Sequence, residues 1–431
     1  MFLKKALDSM KTRFKLSFKN IFEAFFCALL FSLPIYFGVI AYAYGIYSPF
    51  LNGILFLISI YVFVNKNKNT FIFGFFISIL WLYWVVFSFR FSNILFLAPF
   101  ALIFLGGVYG ALFYCILYFK NKFIRSIGLS LVSYISFFNF EWFFPDVMIA
   151  FSIFKVDKFS FIFIAFIISF ISYKNLSKLR FLVLIGLIFV IDFKSNEFNE
   201  LNLNKLQIKL HQSDIPQSLK WKKENLELAL EDNFKAINNA IKENYDVVVL
   251  PESAFPLVLN RNEILLRRLL FYSKDINIIV GSLREEGGKY YNSTFLFSKN
   301  NYEFIDKVVL APFGEYIPLP KSIMNVVSKF INYPHFEVLD SNPKDFIIQN
   351  TKFRNAICYE GGIRKMYSLN PSFMILISNN AWFTSSIEPA FQMMLIKYYA
   401  RYYKTTVFHA ANGSKSMIIN PNMNLKIYSN L

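Results

Sequence analysis

Between residues 21 and 193 the chain is an almost unbroken series of hydrophobic blocks, and this constrains its fold more than any other feature. A stretch such as FIFGFFISILWLYWVVFSF (71–89) is apolar on every side of a helix. A helix of that kind belongs in a bilayer or deep inside a large core. About 20 such residues cross the hydrocarbon layer. Seven blocks fit that template, at roughly 22–45, 50–65, 70–89, 93–119, 123–141, 157–173 and 180–193. The intervening EWFFPDVMIAFSIFKVDK reads as an interfacial or re-entrant loop. From Lys194 on, the composition becomes that of an ordinary mixed domain. The 55 Phe and 55% hydrophobic content of the chain come mainly from the first part.

Charge gives the blocks a direction. Of 45 Lys and Arg, 28 lie from residue 194 on against 22 of the 28 acids, leaving 17 basic and 6 acidic residues in 1–193. The basic residues alternate between loops. Lys4, Lys5, Lys11, Arg13, Lys15 and Lys19 precede the first block, and Lys66, Lys68, Lys120, Lys122, Arg125, Lys174, Lys178 and Arg180 follow on the same side. The opposite loops hold only Arg90, Lys155 and Lys158. An excess of Lys and Arg marks the cytoplasmic face. The N-terminus is therefore expected inside, and seven crossings put the domain from 194 to 431 outside. The first block lacks a small-residue cleavage site, so no cleaved leader is expected. Basic residues scattered between apolar blocks do not make a nucleic-acid surface.

Three cysteines (Cys27, Cys115, Cys358) and three histidines (His211, His335, His409) offer neither a disulfide framework nor a metal-spaced motif. No metal or other cofactor is expected.

In the second part, LQIKLHQ alternates with period 2 and predicts a strand. Apolar residues at helical spacing fill 222–243, and DVVVLPES contains a buried strand. A helix over 262–273, the strand INIIVGS and the hairpin REEGGKYYNSTFLFS follow. AICYE and FMILISNN read as strands, 388–404 as a helix, and TTVFHAANG with SMIINP as a strand pair. Hairpins among alternating helices and strands fit a four-layer α-β-β-α sandwich better than a purely parallel sheet.

Three predicted strand ends bear reactive groups: Glu252 after VVVLP, Lys307 in FIDKVVLAPFGEYIP, and Cys358 closing NAIC. Active sites of open α/β sheets gather at strand termini. A thiol nucleophile needs a base, and its tetrahedral intermediate needs a cation or N–H donors. Glu252, Lys307 and Cys358 supply those roles together. Singly, each has an ordinary reading: a core cysteine, a glutamate near a helix start, a solvated lysine.

The words LPES, DKVVLAPFGEYIP, ICYE and ISNNAWF resemble those of the Glu-Lys-Cys enzymes of the nitrilase superfamily. QSDIPQSLKW is similar to its membrane-bound branch, the apolipoprotein N-acyltransferases, and the resemblance spans nearly the whole chain. It implies Glu252 as general base, Lys307 as oxyanion-stabilising cation and Cys358 as the nucleophile that forms a thioester. It implies support from Glu315 and Glu360, an oxyanion donor in the backbone N–H of Tyr359, and substrate contacts from Trp221, Asn380 and Trp382. It further implies a phospholipid acyl donor, a diacylglyceryl-cysteine apolipoprotein acceptor, and a catalytic domain on the periplasmic side of the bacterial inner membrane. A monomer is expected, since nothing requires a partner subunit.

The sequence departs from the family in three places. NNAWFT stands where the family has NDAWFG, the Gly-Phe-Pro-Trp word expected within 123–158 is absent, and the chain stops after SMIINPNMNLKIYSNL without the usual C-terminal membrane helix. PKSIMNVVSKFINYPHF, apolar at helical spacing between two prolines, reads either as a lid that dips into the bilayer or as a helix packed on the core. An alternative function is a membrane-anchored nitrilase-type amidohydrolase acting on a small amide. Seven spans exceed what an anchor needs. A transporter is disfavoured because the blocks hold few ionisable residues.

Overall fold

The structure, a computed structural model, describes residues 17–91, 94–173, 183–193, 206–316 and 336–423. It falls into two compact units. One comprises Met1–Arg90, Ile94–Ser136 and Phe143–Phe193. The other gathers Phe91–Asn93, Phe137–Trp142 and Lys194–Leu431.

The first unit is helical: α1 (Phe18–Phe31), α2 (Leu33–Tyr44), α3 (Pro49–Asn65), α4 (Thr70–Leu82), α5 (Ala98–Tyr118), α6 (Lys122–Val132) and α7 (Lys158–Ile171). Aromatic rings hold its centre. Phe31 lies 5.7 Å from Phe63, 5.9 Å from both Phe73 and Trp81, and 6.1 Å from Phe113, ring centre to ring centre. α4 and α5 approach closely at Gly74, where a Cβ would fall 2.5 Å from that of Phe113. Small residues at such crossings let apolar helices pack by contact alone. The buried Arg125 guanidinium donates to the carbonyls of Val64, Leu117 and Phe119, groups that the ends of α3 and α5 leave unsatisfied.

Among the described residues, Thr70–Phe91 and Leu95–Tyr118 are long and apolar enough to cross a bilayer, and α1 with α2 makes a third if its 56° bend lies within one span. That bend falls at Ser32, just before Pro34. α3 and α7 are apolar but shorter. The helix expected over 123–141 ends at Val132, and the chain then turns through Phe138 and Asn139, both at positive φ. The expected re-entrant loop is a buried irregular segment with a short 3-10 turn, Pro145–Ile149, and its Asp146 pairs with Lys158. Such backbone is tolerated where protein surrounds it. The block at 180–193 falls partly outside the described residues and shows a 3-10 turn at Gly186–Val190.

The second unit is built on two sheets. The first contains β1 (Ile208–Leu210), β2 (Val247–Val249), β3 (Phe255–Val258), β4 (Asn277–Glu286), β5 (Lys289–Ser298) and β6 (Asn301–Asp306), in the order β1-β2-β4-β5-β6 with β3 beside β4. β1, β2 and β4 run parallel, whereas β4, β5 and β6 form antiparallel hairpins, the first turning at Gly287 and Gly288 with positive φ. The second sheet is β11 (Met417–Ile419), β10 (Thr406–Asn412), β9 (Phe373–Asn379), β8 (Thr351–Ile357) and β7 (Asp345–Ile348), with β8, β9 and β10 parallel and the two edges antiparallel.

Alternation along the strands sets the layers. Val247, Val249, Ile279 and Leu296 meet Phe353, Ile357, Ile375, Ile377 and Phe408 between the sheets. Val248, Ile278 and Val280 face the other way, onto Phe234 and Ile237 of α9 (Lys223–Lys242) and Leu265 and Leu269 of α10 (Glu263–Tyr272). A short helix, α8 (Gln217–Lys220), precedes α9, and α11 (Glu388–Tyr403) packs beside β10 and β11. The result is the expected α-β-β-α sandwich. The edge strand β7 was not anticipated, because Asp345–Ile348 is only 4 residues long and its Phe-Ile-Ile run lacks a period-2 polar pattern. The segment read as a lid lies, apart from Phe336, outside the described residues.

Phe353 is fully buried, with its ring 5.6 Å from that of Phe373. Phe353→Ala should destabilise the sandwich by about 3–5 kcal/mol, the usual effect of emptying a core aromatic site. Denaturant unfolding of the purified protein would measure it.

Candidate active site

The three predicted reactive groups lie just beyond strand ends. After β2 the chain passes Pro251 into a tight turn that holds Glu252, with Ser253 at φ 50°. β6 ends at Asp306, and the next residue, Lys307, is anchored by its backbone N–H to the Asn292 carbonyl of β5 at 2.8 Å. β8 ends at Ile357, and Cys358 opens a 3-10 turn, Cys358–Gly362, at φ 53°. A cysteine in the left-handed region is strained, and such strain persists only where surrounding packing imposes it.

Electrostatics draw these ends together. The buried Lys307 ammonium lies 2.7 Å from Glu315 Oε2 and 4.0 Å from Glu252 Oε1. Burial alone would lower the pKa of Lys307, but Glu315 first, then Glu252, Cys358 and Glu360 outweigh it and hold the lysine charged. Asn292 Nδ2 donates to both carboxylates, at 2.7 Å to Glu252 Oε1 and 2.9 Å to Glu315 Oε1. The backbone N–H of Asn379 donates to Glu252 Oε2 at 2.8 Å, and that of Ala311 to Glu315 Oε2 at 2.7 Å.

Cys358 is half-buried. Burial and then Glu252 push its thiol well above the ordinary range, while Lys307 pulls the other way. The resting sulfur therefore holds its proton, and nucleophilic work requires a base beside it. Glu252 is the carboxylate whose charge acts on the thiol most strongly.

Glu360 has a structural role. Its Oε1 accepts from the N–H groups of Val308 and Val309 at 2.7 and 2.8 Å, and its Oε2 from Ile357 N–H at 2.8 Å. One carboxylate thus fastens the residues after Lys307 to the residue before Cys358. Burial raises its pKa to about 7, against the opposing pull of Lys307 and the three N–H groups.

The Tyr359 side chain is committed elsewhere. Its hydroxyl accepts from Glu141 N–H at 2.7 Å, its carbonyl accepts from the Trp142 indole at 3.3 Å, and its ring stacks on Trp142 at 5.1 Å. Trp221 is 45% exposed, and Trp382 packs edge-on against Phe91 at 5.1 Å. Asn380 is fully buried. Its amide donates to Gln392 Oε1 at 2.8 Å, and Gln392 Nε2 donates to the Cys358 carbonyl at 3.2 Å. An aspartate at 380, as in the family word, could not make that donation when ionised. Here Asn380 and Gln392 act as a pair.

Several site residues were not singled out from sequence. Asn292 sits in YYNSTF at an inward strand position, where a buried amide is a recognisable signal. Lys220, inside the noted word QSLKW, is buried and donates to the Glu252 carbonyl at 3.0 Å, and burial lowers its pKa to about 8 against the pull of Glu252. Gln217 Oε1 accepts from Asn379 Nδ2 at 2.8 Å. Glu388 reads in sequence as an acid in a first helical turn, a favourable and ordinary place; it is in fact fully buried. Among the described residues no three His, Cys, Asp or Glu side chains are grouped to hold a metal ion.

Fold and site together define an integral-membrane protein with a sandwich domain whose strand ends assemble Glu, Lys and Cys around one buried cation. The sequence profile of the apolipoprotein N-acyltransferase integral membrane domain matches residues 18–193. The chain is 40% identical to the apolipoprotein N-acyltransferase of Wolinella succinogenes, over 94% of this chain and 96% of that one. It is 37% identical to that of Helicobacter pylori, over 93% and 96%. It belongs to the apolipoprotein N-acyltransferase family. A solved amidase from Nesterenkonia sp. AN1 aligns with 51% of this chain and 84% of its own, at 12% identity and a TM-score of 0.39.

Gly281 on β4 backs this site. A Cβ there would stand 2.7 Å from Glu252 Cα and 2.8 Å from Ser253 N. Gly281→Ala should displace Glu252 and lower acyl transfer by about 10²-fold, as a 1 Å misplacement commonly does. An acyl-transfer assay beside a circular dichroism spectrum would separate this from loss of fold.

Proposed function

We propose that this chain transfers an acyl chain from a membrane phospholipid to the N-terminal amine of a diacylglyceryl-cysteine apolipoprotein, the last step of bacterial lipoprotein maturation. In this reading Glu252, Lys307 and Cys358 are the catalytic triad. The observation that carries it is the joint placement of three strand ends around the Lys307 ammonium, with the half-buried thiol inside the same field.

Glu252 takes the thiol proton as sulfur attacks the ester carbonyl of the phospholipid. Negative charge then develops on the carbonyl oxygen, and the Lys307 ammonium, fixed by Glu315 and needing no reorganisation, stabilises it. Collapse breaks the ester C–O bond, and Glu252 returns the proton to the departing lysophospholipid oxygen. The acyl group is left as a thioester on Cys358. The apolipoprotein amine next attacks the thioester carbonyl; the C–S bond breaks, and the amine's proton reaches sulfur through Glu252. The scheme is ping-pong. The Tyr359 backbone N–H lies next to the nucleophile as a second oxyanion donor, Glu360 and Glu315 hold the frame, and the exposed Trp221 faces the lipid substrates. Asn380 supports this site through Gln392, and Trp382 packs at its rim.

We further infer that residues 1–193 form the membrane domain, with about seven helices and a cytoplasmic N-terminus, and that residues 194–431 work on the periplasmic side of the inner membrane. The alternating basic loops support that orientation. It brings the catalytic unit to the leaflet where both lipid-anchored substrates would be searched in two dimensions.

Cys358→Ala should leave lipoproteins with two acyl chains instead of three, read by mass spectrometry of their N-terminal peptides. Triacylated product from that variant would exclude the thioester. Glu252→Gln should slow formation of the acyl adduct by about 10²–10⁴-fold, the usual contribution of a positioned base, measured by intact-protein mass spectrometry.

A further inference from the structure

Glu388 has no place in the scheme above, yet it is among the most unusual groups in the molecule. It opens α11 with zero exposure, and both of its carboxyl oxygens are buried without a hydrogen-bond partner among the described residues. Buried carboxyl groups in proteins are normally paired or hydrogen-bonded, and one left bare calls for a reason. Its position supplies one. Gln392, one helical turn further along, donates its amide to the Cys358 carbonyl. Residues four apart share a helix face, so Glu388 is on the face of α11 that carries Gln392 to the nucleophile's turn.

We propose that Glu388 is a second acid–base group of this site, holding the proton that the acceptor's amine must give up before its nitrogen attacks the thioester. The inference rests on the N-acyltransferase reading. The amine of a lipoprotein's first residue is largely an ammonium near neutral pH, since α-amino groups titrate at about 7.7–8.0. Its nitrogen has no lone pair to offer in that form. As the ammonium enters, the carboxyl proton of Glu388 is released to water and an ammonium–carboxylate pair forms. One proton then passes from nitrogen to Glu388, freeing the lone pair. Attack, transfer of the second amine proton to Glu252 and its delivery to the departing sulfur give amide and thiol, with Glu388 again a neutral acid. The hydrogen bonds that Glu388 lacks at rest are thus met by a donor the acceptor brings.

The surroundings suit this role. An ordinary carboxylate is too weak a base for an α-ammonium. Burial first, and then Glu252, push the Glu388 pKa well above the usual range. The elements packed against α11 present Cys358, Tyr359 and Glu360 on one turn, Arg364, Lys365 and Tyr367 on the next, and His409 on β10; β11 presents no titratable side chain. Of the groups around it, Glu252 is the one whose charge acts on Glu388, and Glu388 in turn acts on Cys358.

The test separates the two half-reactions in the full-length protein in nanodiscs, with a fluorescent phospholipid as donor and a synthetic diacylated lipopeptide as acceptor. In Glu388→Gln the Cys358 adduct should form at a rate within about twofold of the unaltered enzyme. Transfer to lipopeptide at pH 7 should fall about 10²-fold or more, the usual contribution of a positioned proton acceptor. That deficit should shrink as pH rises past the titration of the acceptor amine. Hydroxylamine, neutral at pH 7, should strip the acyl group from variant and parent at equal rates. Glu388→Met should show the same split and, having lost a bare buried carboxyl, a higher thermal midpoint. Unchanged transfer at every pH, or parallel loss of adduct formation and transfer, would overturn the proposal. Failure of both variants to fold would assign Glu388 to the scaffold instead. Absence of any adduct in the parent enzyme would overturn the thioester reading, and this one with it.

Discussion

The candidate site of the second unit is organised around the buried Lys307 ammonium. Lys307 is buried beside Glu315 and Glu252, and the charge of Glu360 acts on it as well. Without a cation there, three carboxylates so close together would repel one another and protonate in turn. With it the three coexist: Glu315 fixes the ammonium, Glu252 stands near it and accepts from Asn292, and Glu360 ties two strand ends. Removing one partner of such a cluster leaves uncompensated charge in a poor solvent, which is far more harmful than loss of a surface pair. The site is thus built as a set whose members depend on one another.

Backbone shape supports the same arrangement. Cys358 and Ser253 both adopt positive φ, one immediately at the end of β8 and the other directly after Glu252. These turns let the strands stop abruptly and present side chains at the sheet edge. Against Glu252 and Ser253 lies Gly281, where the sheet leaves room for no side chain at all. Polar packing then completes the floor: Asn379 joins Gln217 and Asn412 by amide hydrogen bonds, and Asn379 and Asn292 each donate to Glu252. Such hydrogen-bonded networks rigidify a site.

Much of this was legible in the sequence, for reasons that can be named. Hydrophobic blocks announced the helical unit because a bilayer-length apolar run has few other uses. The continuous run DVVVLP and the period-2 segments revealed the strands, since burial on one or two faces writes those patterns directly. Glu252, Lys307 and Cys358 stood out because each follows a strand. Side-chain direction was less visible. Lys220 and Trp221 are neighbours in one word, yet the lysine turns inward to Glu252 while the tryptophan stays half in the open. The helix expected over 123–141 stops early because hydrophobicity does not report the left-handed turns at Phe138 and Asn139. Glu388 looked ordinary because a first-turn acid is common, and only three dimensions reveal that no donor among the described residues reaches it.

The short segment Phe137–Trp142 belongs to the sandwich unit although some fifty residues of helical sequence separate it from the rest. Its Trp142 roofs the ring of Tyr359 and fills the space beside Gly362, whose missing Cβ would otherwise strike the indole nitrogen at 2.5 Å. The back wall of the Cys358 turn is therefore encoded upstream of the domain it completes. A fragment cut at residue 194 would keep Glu252, Lys307 and Cys358 and still lack that wall, so the sandwich unit is not separable from the helical sequence by any single incision.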